Sequence, residues 1–138
     1  MGRVLAIDYG RALIGLAVSD GLGLTARPLP ALQNPGADAA PRALQAVVEE
    51  EEVDELVLGL PLKMDGSEGD AVAEVRQFAE RLRGVVDLPL HEVDERLTSK
   101  QAHAQMKAAG VKHKKRKELV DSTAAVLILQ DYLARRRS

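Results

Sequence analysis

The amino-acid sequence predicts a single α/β domain, residues 1–138, built on a mixed five-stranded sheet with helices on both faces. Three observations lead to this prediction. Three extended segments come first, and helical and extended segments then alternate. The chain has 138 residues, of which 46% are apolar, a size and composition that suit one hydrophobic core. The predicted order of elements is βββαβαβαα.

The strands are predicted from short apolar runs bounded by turn residues. They span 3–8, 14–19, 25–33, 55–60 and 88–93. Gly15 inside the second run indicates a bulge or a close approach of backbone. Pro28 and Pro30 make the third run an edge strand, because each proline removes a ladder donor. Gly59 and Pro61 are expected to end the fourth strand.

The helices are predicted where apolar residues recur at a spacing of three and four. They span 40–52, 67–83, 98–109 and 119–136. Pro41 is tolerated in the first turn of the first helix, and Ser67 is the expected N-cap of the second. Gly84 and Gly110 follow the ends of the second and third helices. No repeat or low-complexity linker interrupts this pattern, which is consistent with one domain.

The strand order predicted for the sheet is 3-2-1-4-5. A right-handed crossover places the fourth strand beside the first, and the next crossover places the fifth strand outside the fourth. The carboxyl ends of strands one, four and five then lie on one rim, which is where open α/β sheets usually bind ligands. We therefore expect the functional residues at this rim.

Composition excludes several classes of protein. The chain has no cysteine, which rules out disulfides, thiolate zinc sites and a cysteine nucleophile and fits a cytoplasmic location. No apolar run approaches the roughly 20 residues of a membrane span, and no secretory signal is expected. Only three aromatic residues are present, Tyr9, Phe78 and Tyr132, so phosphate contacts rather than base stacking should dominate any binding of nucleic acid.

The net charge of −2 conceals a strong asymmetry along the chain. Residues 1–95 hold 8 Lys or Arg against 18 Asp or Glu, whereas residues 96–138 hold 11 against 3. The run of cations and histidine at 112–117 is the densest part of the basic third, and we expect it in a loop before the last helix. The run either binds phosphates or is a solvated loop, and its position beside acidic residues favours phosphate binding.

Carboxylates from three separate elements converge on the predicted rim. Asp8 ends the first strand, Asp94 and Glu95 follow the fifth, and Asp121 opens the last helix. Carboxylates held close together must be protonated or share a cation, and oxygen-only ligands suit Mg²⁺ or Mn²⁺. Taken singly, each acid could instead have a structural role: Asp8 as a turn cap, Glu95 as an ion-pair partner of Arg96, and Asp121 as a helix cap.

Five ordered motifs resemble the YqgF/RuvX family over essentially the whole chain. They are AIDYG at 6–10, IGLAVSD at 14–20, GLPL at 59–62 with MDG at 64–66, DERLT at 94–98, and VDS at 120–122. The resemblance implies an RNase H-like fold related to the RuvC Holliday junction resolvases. It also implies either resolution of Holliday junctions or nuclease processing of the small-subunit (16S) ribosomal RNA precursor.

The resemblance implies that Asp8, Glu95 and Asp121 are the catalytic and metal-binding acids of a site for two Mg²⁺ or Mn²⁺ ions. In the RuvC relatives the second acid follows the fourth strand, where this chain has no carboxylate until Asp65. We therefore prefer Glu95 as the second ligand and keep Asp65, with Asp94, as an alternative or supporting residue.

Several cations are predicted to contact the nucleic acid. They are Arg11, Lys63, Arg96, Lys112, Lys114, Lys115, Arg116 and Lys117. Arg11 and Lys63 stand where the family usually has other residues, so they are expected to bear on substrate preference.

The predicted function is metal-dependent hydrolysis of phosphodiester bonds in RNA or branched DNA, by endonuclease or exonuclease action. We expect the protein to act as a monomer or a homodimer. A catalytically silent scaffold that binds RNA or DNA is the alternative. A sugar kinase or an actin-like ATPase also begins with an Asp-x-Gly turn after a strand, but it needs a second such domain, which 138 residues do not supply.

Overall fold

The computed structural model describes residues 2–62, 68–95 and 113–137, and for residues 113–121 and 137 it describes the backbone alone. Five strands form one mixed sheet of order β3-β2-β1-β4-β5. They are β1 Arg3–Tyr9, β2 Leu13–Ser19, β3 Ala26–Gln33, β4 Val53–Leu60 and β5 Leu90–Asp94. β1 runs antiparallel to β2 and parallel to β4. The predicted strand order is therefore confirmed.

The described helices cover both faces of the sheet, as predicted. They are α1 Ala40–Glu50, α2 Asp70–Arg83 and α3 His113–Arg137. Leu44 of α1 and Leu82 of α2 belong to the core on one face, whereas Ile128 and Leu129 of α3 belong to the core on the other. None of these helices has the length and apolar character needed to cross a lipid bilayer.

The pairing of β2 with β3 is irregular at the glycine that the sequence singled out. The register shifts between Ile14 and Leu16, which pair with Leu32 and Leu29, so the extra residue is in β3 and Gly15 lies opposite the bulge. Pro28 of β3 pairs with Ala17 of β2. β3 is an edge strand of the sheet. A proline is tolerated there because the outer side of an edge strand needs no ladder donor.

A single buried hydroxyl ties α3 to the sheet beside this bulge. The Ser122 Oγ accepts a hydrogen bond from the Leu16 N–H at 3.4 Å and donates one to the Leu29 carbonyl at 2.5 Å. Ser122 has no exposed surface, so water cannot replace these contacts in the folded protein. The hydroxyl therefore fixes α3 against β2 and β3 at one defined position along the helix.

We expect Ser122→Ala to lower the free energy of unfolding by about 1–3 kcal/mol, because it leaves buried polar groups of Leu16 and Leu29 without this partner. Urea unfolding followed by circular dichroism measures the change. Gln130→Ala, on the exposed side of the same helix, is the control and should change stability much less. Equal stability of the two variants would show that Ser122 does not anchor the helix.

The far end of α3 is tied to a different part of the sheet. Glu55 of β4 accepts hydrogen bonds from the Tyr132 hydroxyl and from the Arg136 guanidinium, the latter at 2.6 Å. The His91 Nε2 lies 3.0 Å from the same carboxylate. α3 therefore runs diagonally, from β2 and β3 near Ser122 to β4 and β5 near its C-terminus.

Two helices begin at residues other than those predicted. The last helix begins at His113, so the basic run from Lys114 to Lys117 is helical and does not form the predicted loop. Lys and Arg are good helix formers, and successive helical residues are about 100° apart, which relieves repulsion between them. α2 begins at Asp70 with Gly69 as its N-cap, whereas Ser67 and the helix predicted at 98–109 lie outside the described residues.

Candidate active site at the carboxyl rim

Asp8 lies near the carboxyl end of β1, on the face of the sheet that α3 covers. Alternate residues of a strand face opposite sides. Ala6 packs in the core beneath α3, and Ile7 packs in the core on the other face. Asp8 therefore lies on the same face of the sheet as Ala6, the face that α3 covers. Ile7 pairs with Leu58, which places Gly59 of β4 next to Asp8.

Glu95 reaches the same place from β5. Its N–H donates a hydrogen bond to the Leu60 carbonyl at 3.0 Å, which holds the chain against β4 beyond the last paired residue, Asp94. Its side chain lies directly over Gly59, because a Cβ atom added there would be 2.6 Å from the Glu95 Oε2 and 2.6 Å from the Ile128 Cδ1. The absence of a side chain at Gly59 leaves the space that the Glu95 carboxyl group occupies.

The two carboxyl groups form one acidic pair. Burial, repulsion by the Asp8 carboxylate and a hydrogen bond to Asp8 raise the pKa of Glu95 to about 9, and the charge of Asp94 acts in the same direction. Two carboxylates in this setting cannot both be ionised without a compensating charge. At neutral pH the pair therefore retains a proton when no cation is bound.

We expect the acidic pair to make metal-free protein less stable as the pH rises. Between the ordinary Glu pKa of 4.5 and the folded value of about 9, the folded state holds a proton that the unfolded state releases, so the free energy of unfolding falls with increasing pH. Thermal unfolding in EDTA at pH 5 and pH 8 should show a larger loss for wild type than for Glu95→Gln. Identical pH dependence of the two proteins would contradict the raised pKa.

The third predicted acid occupies a helix position that faces the sheet. Asp121 directly precedes Ser122 and lies in the helical register of Ala125 and Ile128, both of which are buried against the sheet. Asp121 is the ninth residue of the helix that begins at His113, so it is not the helix N-cap. Its side chain lies outside the described residues.

The other predicted contacts are only partly covered by the structure. Asp94 ends β5 beside the pair. Lys114, Lys115, Arg116 and Lys117 lie on the first turns of α3, as backbone positions only. Lys63, Asp65, Arg96 and Lys112 lie outside the described residues.

Arg11 lies at the same rim but is engaged by a neighbour. Its Nε donates a hydrogen bond to the Glu74 Oε2 at 3.1 Å, and a second guanidinium nitrogen contacts the other oxygen of the same carboxylate. Glu74 lies on α2, so this ion pair joins the β1–β2 turn to that helix. The contact raises the pKa of Arg11 and lowers the pKa of Glu74.

The donor set of the acidic pair fits a divalent cation. Carboxylate oxygens are the ligands that Mg²⁺ and Mn²⁺ prefer, and a cation would offset the repulsion that helps to raise the pKa of Glu95. Among the side chains that the structure describes, no three carboxylate or imidazole groups form a complete metal site. Asp8 and Glu95 therefore form the described part of the candidate site, and Asp121 remains the predicted third ligand.

Sequence reasoning missed the role of one residue. Gly59 was expected only to help end the fourth strand at Leu60, where β4 does end, whereas in the structure its lack of a Cβ atom leaves room for the Glu95 carboxyl group. A glycine within a strand signals a close approach by another group, and that rule, applied correctly at Gly15, could have identified Gly59 as well.

The mixed sheet, the diagonal helix and the acids at the carboxyl rim define a protein of the RNase H-like class. A Thermus thermophilus RuvC in complex with a Holliday junction substrate has the same fold, with a TM-score of 0.57 and 18% identity, covering 99% of this chain and 96% of that one. The family model "RuvX: Holliday junction resolvase" matches residues 2–135. The chain belongs to this family of nucleases, also called YqgF, as the motifs implied.

Two relatives show similarity over almost the whole chain. A Koribacter versatilis protein named "Putative pre-16S rRNA nuclease" is 45% identical over 137 residues, which cover 98% of this chain and 88% of the relative. A Maridesulfovibrio salexigens protein of the same name is 43% identical over 133 residues, covering 96% and 98% respectively.

Proposed function

We propose that this protein is a divalent-metal-dependent nuclease that hydrolyses phosphodiester bonds of the 16S ribosomal RNA precursor. It acts in the cytoplasm, as a monomer or a homodimer. The observation that carries the proposal is the close pair of Asp8 and Glu95, two partly buried carboxyl groups that share a hydrogen bond. Such a pair offers the oxygen ligands that a divalent cation needs when it binds a phosphodiester.

Each acid has a distinct part in the proposed site. Mg²⁺ or Mn²⁺ held by Asp8, Glu95 and Asp121 would supply an activated water and stabilise charge on the leaving oxygen. Asp8 is fixed within β1, and Glu95 is positioned by the hydrogen bond from its N–H to the Leu60 carbonyl and by the open space over Gly59. Glu95 would hold the cation as a carboxylate, and its proton would pass to the solvent. Acids held by packed strands keep the precise geometry that such chemistry needs.

The relatives favour ribosomal RNA as the substrate, and the family description favours a Holliday junction. Purified protein should be given a precursor 16S RNA fragment and a four-way DNA junction side by side, each in Mg²⁺, in Mn²⁺ and in EDTA. We expect metal-dependent cleavage of the RNA fragment, and mapping of its product ends separates endonuclease from exonuclease action. Cleavage of the junction alone would reassign the substrate, and binding without cleavage would favour a silent scaffold.

The basic run on α3 is proposed to hold the phosphates of the substrate. Changing Lys114, Lys115, Arg116 and Lys117 to Ala should weaken binding nearly equally for all sequences. The slope of log affinity against log salt should fall by about 0.9 per lost contact on duplex DNA and by about 0.7 on single strands. Anisotropy titrations at several salt concentrations measure this slope.

A matched control for the basic run is the pair Arg81→Ala and Arg83→Ala on α2, which covers the opposite face of the sheet. This double variant should leave the salt dependence nearly unchanged. Folding stability of the quadruple variant should hardly move, because Ala is itself a good helix former. An unchanged salt slope in the quadruple variant would show that the run is a solvated helical face.

A further inference from the structure

A small cavity opens at the same rim, on the side of the sheet opposite Glu95. It lies between the turn after β1 and the first turns of α2 and has a volume of about 250 Å³. Its lining includes Tyr9, Arg11, Pro61, Ala71, Glu74 and Val75. Tyr9 directly follows Asp8 in β1, and successive strand residues face opposite sides. The cavity therefore begins one residue away from the candidate catalytic acid.

The inner part of the cavity is apolar and firmly held. The Tyr9 ring stacks on Phe78, with ring centroids 4.1 Å apart and planes 17° from parallel. Phe78 is buried in the core beneath α2, so the tyrosine ring is fixed in place. Of the three aromatic residues in the whole chain, two are stacked at this one position.

The mouth of the cavity carries one exposed ion pair, Arg11 with Glu74, whose side chains are 82% and 41% exposed. An exposed pair of this kind contributes little to folding. Its guanidinium offers only donors, and its carboxylate offers only acceptors. A ligand that presents both kinds of group along one edge can therefore replace the ion pair without harm to the fold.

Size and chemistry together identify the class of ligand. The volume lies just below the roughly 300–1,000 Å³ of pockets that hold drug-sized ligands, so one planar ring fits better than a larger molecule. Unstacked nucleobases bind proteins through an apolar face and a hydrogen-bonding edge. Guanine matches the ion pair best, because on its Watson–Crick edge O6 accepts from arginine while N1–H and the amino group donate to a carboxylate.

We propose that this cavity binds one base, preferably guanine, of the nucleic-acid strand that passes Asp8 and Glu95. The proposal rests on the proposed nuclease function for the position of that strand. Arg11 and Glu74 separate from each other and contact the edge of the base, while Tyr9, Pro61 and Val75 contact its apolar surface. The subsite selects which phosphodiester bond reaches the acids.

The test measures binding in EDTA, where no metal-dependent cleavage occurs. The probes are fluorescein-labelled uridine hexamers whose third residue is guanosine, uridine or abasic. We expect wild type to bind the guanosine hexamer at least about fivefold more tightly than the abasic one, which is the lower end of base stacking on protein rings. Equal affinity for all three hexamers would overturn the proposal.

Three variants assign this preference to the cavity. Ala71→Phe places a ring at the cavity and should abolish the preference, whereas Ala73→Phe, also exposed on α2, should retain it. Glu74→Gln keeps the space, so it should reduce the advantage of guanosine over uridine while uridine still binds better than the abasic hexamer. Equal losses in Ala71→Phe and Ala73→Phe would also overturn the proposal.

Cleavage assays separate this inference from the proposed function. Base-dependent binding in a protein that never cleaves RNA or DNA would refute the nuclease and retain the subsite. Metal-dependent cleavage with no dependence on the base would refute the subsite and retain the nuclease.

Discussion

Asp8→Asn is expected to lower metal-dependent cleavage by roughly 100-fold or more, since changes to residues that only support metal ligands already cost 10–100-fold. The amide keeps the shape of the side chain but removes the charge that attracts the cation. It also removes the repulsion acting on Glu95, so the thermal midpoint at neutral pH should stay the same or rise. Initial cleavage rates and circular dichroism melts on the same preparations provide both measurements.

Asp38→Asn, at an exposed position before α1, is the matched control and should cleave at the wild-type rate. Glu95→Gln should lose activity to a similar extent as Asp8→Asn, whereas Asp65→Asn should be mild. A larger loss of activity in Asp65→Asn than in Glu95→Gln would identify Asp65 as the second metal ligand. Activity of Asp8→Asn within tenfold of wild type would remove the acids from the proposed mechanism.

Gly59→Ala is expected to lower the rate of cleavage strongly while lowering the stability of the fold only moderately. The added methyl group would lie 2.6 Å from both the Glu95 Oε2 and the Ile128 Cδ1, and both atoms are the ends of flexible side chains that can move. The free energy of unfolding should therefore fall by only about 1–3 kcal/mol, as is typical of an overpacked site. Cleavage should fall by at least about tenfold, because misplacing reacting groups by 1 Å can cost roughly 100-fold.

Gly21→Ala is the control for this substitution, because a Cβ atom there has no neighbour within 4 Å. It should retain both activity and stability. Denaturant unfolding and initial cleavage rates should be measured on the same protein samples. Wild-type cleavage by Gly59→Ala would show that the position of the Glu95 carboxyl group over Gly59 does not matter for the reaction.

Much of the fold follows from local patterns that tertiary contacts did not override. Pro28 and Pro30 identified the edge strand because proline lacks the backbone N–H that a central strand needs, and Gly15 identified the place of the bulge because glycine lacks a side chain. The sheet order followed from the handedness of crossovers. These constraints act on the backbone itself, so they can be read without knowing what packs where.

Two kinds of feature were missed, one local and one that depends on distant residues. Locally, α3 begins at His113 and not at Leu119, because the helix propensity of Lys and Arg outweighs the repulsion within the basic run. Glu95 was chosen from the sequence, but its contact with Asp8 depends on the register of β4 and β5. The Arg11 and Glu74 pair is separated by 63 residues and joins two elements that no sequence pattern connects.

The diagonal attachment of α3 has a consequence for the order of assembly. Its anchors join partners far apart in the chain, 93 residues between Leu29 and Ser122 and 77 between Glu55 and Tyr132. Closing such long loops is slow, so native contacts of this kind form late in folding. Ile128 of this helix lies over Gly59 together with the Glu95 carboxyl group, so the acid pair is not enclosed until α3 docks. We therefore expect a nascent chain that ends before residue 128 to lack cleavage activity.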